Sequence, residues 1–184
     1  MRLFFCRALY LYGLTHNGAT WVSPREMRNL RTYSSCDGGE NSMSLTGIWE
    51  RALLQQRAGN TVSAMREYNL FLAAAAECNV PAASLAEVHV NMGQLMCRMG
   101  DSASAREHFI SACEHRSLAT AHVNLALLTL ADGSNDKLPG KIEHTVLNEA
   151  KKHAEAALVA DERDDRSVEV ALKIIKDISR VHPP

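Results

Sequence analysis

Residues Leu85 to Cys113, LAEVHVNMGQLMCRMGDSASAREHFISAC, decide how this 184-residue chain is read. Val88, Met92, Leu95, Met96 and Met99 follow the helical period and share one face. Gly93 interrupts that stripe. A glycine inside a helix costs about 1 kcal/mol against alanine, so its place there predicts a second helix lying close against bare backbone. Gly100 suits the left-handed residue that ends a helix, and Asp101 and Ser102 are N-cap candidates for the next one. That helix carries Ala105, Phe109 and Ala112 at spacings of four and three. The small residues admit close approach, and Phe109 fills the space between the helices.

The pattern extends in both directions. Upstream, Ser44 or Thr46 caps a predicted helix reaching about Ala58, with Ile48, Trp49, Ala52 and Leu53 as its stripe. Gly59-Asn60 parallels Gly100-Asp101, and Ala64, Tyr68 and Phe71 parallel Ala105, Phe109 and Ala112. Phe71 stands where a small residue would be expected, which predicts looser or altered packing there. The helix is expected to run to about Cys78, and Pro81 marks a break. Downstream, a helix opens at Leu118 with Ala121, Leu125, Ala126 and Leu128, and Gly133 is expected to end it. Ser134–Lys141 has the composition of a loop insertion. A helix from about Ile142 to Ala160 restores the small-residue ladder with Ala150, Ala154 and Ala157. After a turn at 161–165, a last amphipathic helix runs from Ser167 to about Val181. Its expected stripe is Val168, Ala171, Leu172, Ile175 and Ile178. Seven helices and no sheet are expected.

Asn91-Met92-Gly93, Gly100-Asp101 and the ladder Ala105, Phe109, Ala112 together resemble a tetratricopeptide repeat, a helix–turn–helix unit of about 34 residues. Asn124 follows Asn91 at close to that period. His89 stands where the family favours tryptophan, and Ser117 where it often has proline. The resemblance implies an all-α solenoid of about three repeats over residues 44–184, closed by a C-terminal capping helix. It also implies a concave groove walled by the first helix of each repeat. Asn91, Val90, Gln94 and Arg98 would line it in one repeat, beside Glu87 and Cys97. Asn124, Val123 and Leu127 would line it in the next, beside Thr120 and Leu130. An amide there both donates and accepts, as a bound peptide backbone requires. An asparagine bonding within its own repeat is the equal alternative. With Arg98 the only basic residue on the wall, clamping of a C-terminal carboxylate is not expected.

The chain is 46% hydrophobic and only 5% aromatic; alanine and leucine carry much of the apolar content, which favours helix over sheet. It holds 20 basic and 21 acidic residues. Five of the basic residues (Arg2, Arg7, Arg25, Arg28, Arg31) and only Glu26 of the acidic ones lie in the first 33 residues, so the rest is net −5. An acidic body argues against a nucleic-acid surface. The apolar start is broken by Arg7, and no stretch is long enough to span a bilayer. Residues 1–33 are instead Arg-rich and nearly free of acid, as organellar transit peptides are. Arg31-Thr32-Tyr33-Ser34-Ser35 resembles a mitochondrial processing site, implying cleavage after Tyr33. A start whose Trp21 and tyrosines dock on the body is the alternative. Residues 34–43 read as a flexible linker.

No catalytic motif stands out: there is no GxSxG, no P-loop and no Gly-rich fingerprint. Five cysteines at irregular spacing, without CxxC, argue against a disulfide framework or a zinc site and for a reducing compartment. His89, His108, His115, His122 and His153 read as helix-face histidines, and neither metal nor cofactor is expected. The function expected is protein–protein binding, with a protein or peptide in the groove. The chain would serve as adaptor, assembly factor or peripheral subunit of a mitochondrial complex, in the matrix. An organellar RNA-associated repeat protein and a small enzyme on a helical scaffold are the alternatives.

Overall fold

The computed structural model describes residues 44–135 and 143–181, without the side chains of 134 and 135. The expected leader over 1–33, the linker over 34–43 and most of the insertion lie outside the described residues. Among the described residues there are seven helices and no strand: α1 (Leu45–Arg57), α2 (Thr61–Ala76), α3 (Ala82–Met99), α4 (Ser102–His115), α5 (Ala119–Asn135), α6 (His144–Leu158) and α7 (Asp165–Val181). None is long and apolar enough to cross a membrane.

The helices pack as neighbours in chain order. The closest pairings are α1 with α2, α3 with α4, and α5 with α6; α7 rests on α6 and α5. Two turns share one mechanism. Gly59 and Gly100 take φ of 78° and 81°, the left-handed conformation that costs glycine least. In the first, the Asn60 amide bonds Gln55 O at 2.9 Å and Gly59 bonds Gln56 O at 3.1 Å. In the second, Asp101 bonds Met96 O at 3.0 Å and Gly100 bonds Cys97 O at 3.1 Å. Both are Schellman closures, which satisfy orphan carbonyls and reverse the chain. Asp101 then caps α4, accepting from Ser104 N at 3.0 Å and Ser104 Oγ at 2.7 Å. Those bonds hold its carboxyl below the usual range. Ser44 caps α1 in the same manner, accepting from Gly47 N at 3.1 Å.

The core divides into three clusters, each joining three successive helices. Trp49, Tyr68, Phe71, Met92 and Leu95 link α1, α2 and α3. Val90, Phe109, Ala112, Leu125 and Leu128 link α3, α4 and α5. Val123, Leu127, Leu147, Ala154, Ile174 and Ile178 link α5, α6 and α7. Helices α3 and α5 therefore serve two clusters each. This is why residues 86–95 and 118–130 are buried almost without interruption, only His89 and His122 standing partly out. Helices α4 and α6 bury narrow stripes instead: Ala105, Phe109 and Ala112 on α4, and Leu147, Ala150, Ala154 and Ala157 on α6.

Three expectations change. Gly133 does not end α5, which continues to Asn135; a Cβ there would stand 2.5 Å from Val146 Cγ1, so the glycine serves close packing with α6. Phe71 is fully buried, with its ring 5.7 Å from Trp49. Of looser and altered packing it is the altered one that the structure shows, with Trp49 and Tyr68 completing an aromatic contact. On α7, Ile174 takes the buried position and Leu172 faces solvent, because the helix settles on α6 through Ala171, Ile174 and Ile178. Asp164 starts α7, accepting from Ser167 N at 2.8 Å and from Thr120 Oγ1 at 2.9 Å. The turn before it joins the one before α5, where Ala119 N donates to Glu162 O at 2.9 Å.

Gly93 sits where close approach demands it. A Cβ would lie 2.6 Å from Phe109 Cε1 and 2.9 Å from Cδ1 and Cζ, and the fully buried ring has no room to retreat. Gly93→Ala is expected to destabilise the fold by about 1–3 kcal/mol through overpacking. Gly47→Ala, whose Cβ would meet only Ser44 Oγ at 3.4 Å, is expected to hold or raise stability through helix propensity. Thermal unfolding of the two variants checks the contrast; equal midpoints would refute it.

Candidate functional site

The residues expected to line a groove divide into two groups. Val90 is enclosed with Ala105, Phe109 and Leu125 between α3, α4 and α5. Val123 and Leu127 belong to the α5–α6–α7 cluster. These three fill helix interfaces. The polar residues follow a different course. Asn91, Gln94 and Asn124 are only 3%, 5% and 6% exposed, whereas Arg98 is exposed near the end of α3. Buried amides must find partners or bear the desolvation cost, so the fate of each one is informative.

Asn91 has a partner. Its side chain hydrogen-bonds the phenol of Tyr68 on α2, and Tyr68 donates in turn to Gln56 Oε1 on α1. Burial raises the Tyr68 pKa strongly, and the Asn91 bond offsets part of that; the phenol stays protonated and donates. This chain of three side chains ties α1, α2 and α3 together. Neither Gln56 nor Tyr68 was among the expected site residues. The signal was present: Gln56 continues the stripe Ile48, Ala52 at helical spacing, a polar side chain on an apolar face.

Other amide atoms are left over. Gln56 Nε2, Gln94 Oε1 and Asn124 Nδ2 are shielded from solvent without a hydrogen-bond partner. They lie on α1, α3 and α5, the first helix of each successive pair. Two are donors and one is an acceptor. Thr120, one turn before Asn124, bonds Asp164 and Ser167 Oγ instead, the latter at 3.1 Å. All three amide atoms are enclosed between helices, each with an unused hydrogen-bonding capacity.

Histidines gather at the α3–α4 and α5–α6 contacts. His89 Nδ1 lies 3.2 Å from His108 Nδ1, and His115 stacks on His89 with centroids 5.4 Å apart. His122 pairs with Ser117 Oγ at 3.1 Å and Cys113 Sγ at 3.7 Å, and lies beside His153. Burial pushes the Cys97 and Cys113 thiols up to about 11, so at neutral pH both keep the proton that a nucleophilic cysteine must lose. These two are free thiols. Cys78 is disulfide-bonded, so the expectation of reduced cysteines does not hold for every one. Among the described residues, no group of three or more His, Cys, Asp or Glu side chains could hold a metal ion.

Neither the family models nor the curated proteins compared with this chain match it.

Burial lowers the pKa of His89 to about 4, with His108 and His115 adding repulsion. Burial also lowers those of His108, His122 and His153. The unfolded chain takes up these protons near pH 6.5, whereas folded His89 resists until about pH 4. Between those values the unfolded state binds more protons, so stability falls as pH drops from about 6.5 toward 4. The expected outcome is a lower melting midpoint at pH 5 than at pH 7.5, with a shallower slope in His89→Gln. Identical pH dependence in the two proteins would contradict this origin.

Proposed function

We propose that this chain is a tetratricopeptide-type helical repeat scaffold that binds a partner protein through an extended peptide segment. The helices α1–α2, α3–α4 and α5–α6 would be its repeats and α7 its cap. Support comes from the pairwise packing in chain order, the two like Schellman turns, and the small–aromatic–small stripe that lets α4 approach Gly93. The observation that carries the binding reading is the set of unmet amide atoms, Gln56 Nε2, Gln94 Oε1 and Asn124 Nδ2. A peptide backbone offers alternating carbonyl acceptors and N–H donors, the complement of two donors and one acceptor. A phosphate backbone offers acceptors only, and the chain beyond residue 33 is net acidic, which favours peptide over RNA. Arg98, exposed at the end of the same helix, would meet an acidic residue of the partner.

The unmet atoms also separate binding from stability. A buried polar group without a partner costs about 1–3 kcal/mol. Gln94→Leu and Asn124→Leu are therefore expected to leave the melting midpoint unchanged or higher while weakening partner capture. Asn91→Ala, which strips Tyr68 of a hydrogen bond, is expected to lower it. Capture from cells by the tagged wild type and the double variant Gln94→Leu, Asn124→Leu, compared by mass spectrometry, tests the reading. Equal recovery of the same proteins by both would remove these residues from the binding site.

The leader reading belongs with this proposal. The Arg-rich residues 1–33 would direct import into mitochondria, and the chain would act there as adaptor, assembly factor or peripheral subunit. N-terminal sequencing of the endogenous protein is expected to find Ser34 first. A chain that retains Met1 in a cytosolic fraction would refute import.

A further inference from the structure

We infer that Cys78 is joined to Cys36 by a disulfide that ties the chain ahead of α1 to the far end of the first helix pair. The inference does not depend on the peptide reading. Cys78, just past the end of α2, is disulfide-bonded, while Cys97 and Cys113 are free thiols. The chain holds five cysteines, so the partner within it is Cys6 or Cys36. Both precede α1 and lie outside the described residues.

Three arguments select Cys36. The first is reach. Helices α1 and α2 pack against each other and reverse through the tight turn at Gly59, so the start of α1 and the end of α2 lie together. Leu45, the first residue of α1, and Cys78 accordingly belong to one apolar cluster. The stretch from Cys36 to Ser44 can span up to about 26–29 Å, well beyond the about 8–10 Å between packed helices. The second is loop closure. A ring closed at Cys36 holds about 40 residues and one closed at Cys6 about 70, and the entropy lost in bringing the ends together grows with ring length. The third is retention: Cys36 stays in the chain when residues 1–33 are removed as proposed above, whereas Cys6 leaves with them.

Forming the bond needs an oxidant that itself carries a disulfide. One thiolate of the pair attacks a sulfur of that oxidant, which forms a mixed disulfide and releases one oxidant thiolate. The second protein thiolate attacks the protein sulfur of the mixed disulfide, which forms Cys36–Cys78 and releases the other. The two protons lost by the cysteines end on the oxidant's thiols, and its disulfide is the species reduced. The protein therefore acquires this bond in an oxidising compartment, which departs from the reducing one expected from its cysteine spacing. The bond closes a covalent ring around α1 and α2, whose apolar cluster is shared with α3 alone among the described helices.

Peptide mapping tests the pairing. The full chain is taken from its own cells with free thiols blocked by N-ethylmaleimide at lysis, digested without reductant and analysed by mass spectrometry. The expected map holds one cross-linked pair joining Cys36 to Cys78, with Cys97 and Cys113 blocked. Thermal unfolding of the oxidised full chain is the second readout. A phosphine reductant is expected to lower the wild-type midpoint by several degrees. Cys36→Ser is expected at the lower value with or without reductant, and Cys6→Ser to respond as the wild type does. The peptide map decides alone should Cys36→Ser not fold. A blocked Cys78, a bond from Cys78 to Cys6 or to a second chain, or a wild-type midpoint unmoved by reductant would each overturn the proposal.

Discussion

The approach of α4 onto the bare backbone of α3 at Gly93 is the contact on which the other helices depend. Phe109 fills the place where a Cβ would stand, and it lies in the same cluster as Val90, Leu125 and Leu128. The position of α5 is therefore set by the depth to which the ring enters α3. The next pair uses the same device. There Gly133 on the first helix receives Val146 from the second. A glycine costs helix propensity, and the close-packed contact it admits offsets that cost.

Two-sided burial of α3 and α5 sets the fate of their polar side chains. A helix that serves two cores has little surface left, so its polar side chains are enclosed whether or not they find partners. Asn91 found one in Tyr68, and Thr120 found Asp164. Gln94 and Asn124 each keep an unmet atom. Apolar side chains of similar size at those positions would avoid the desolvation cost.

The histidines obey a related constraint. Burial at helix contacts lowers the pKa of His89, His108, His122 and His153. Their rings meet one another and Ser117 or Cys113 rather than carboxylates. The burial that keeps His89 neutral is also what makes the fold sensitive to acid.

The sequence by itself determined the helices, because their marks are local. The stripe from Val88 to Met96, the closing Gly100 followed by Asp101, and the ladder Ala105, Phe109, Ala112 act within one or two turns. Gly93 could be assigned to a helix contact for the same reason: only a neighbour's side chain explains a glycine within an apolar stripe. What the tertiary structure decided involves residues far apart in the chain. Spacing placed Val90, Val123 and Leu127 beside the two asparagines, but two cores on opposite sides of α3 and α5 claim them. Gly133 carried a stop signal and lies within a helix, because Val146 needs its space. The Gln56–Tyr68–Asn91 chain and the His89–His108 pair each join different helices. A period fixes which face a side chain takes, but not which helix covers that face or which atom waits across the interface.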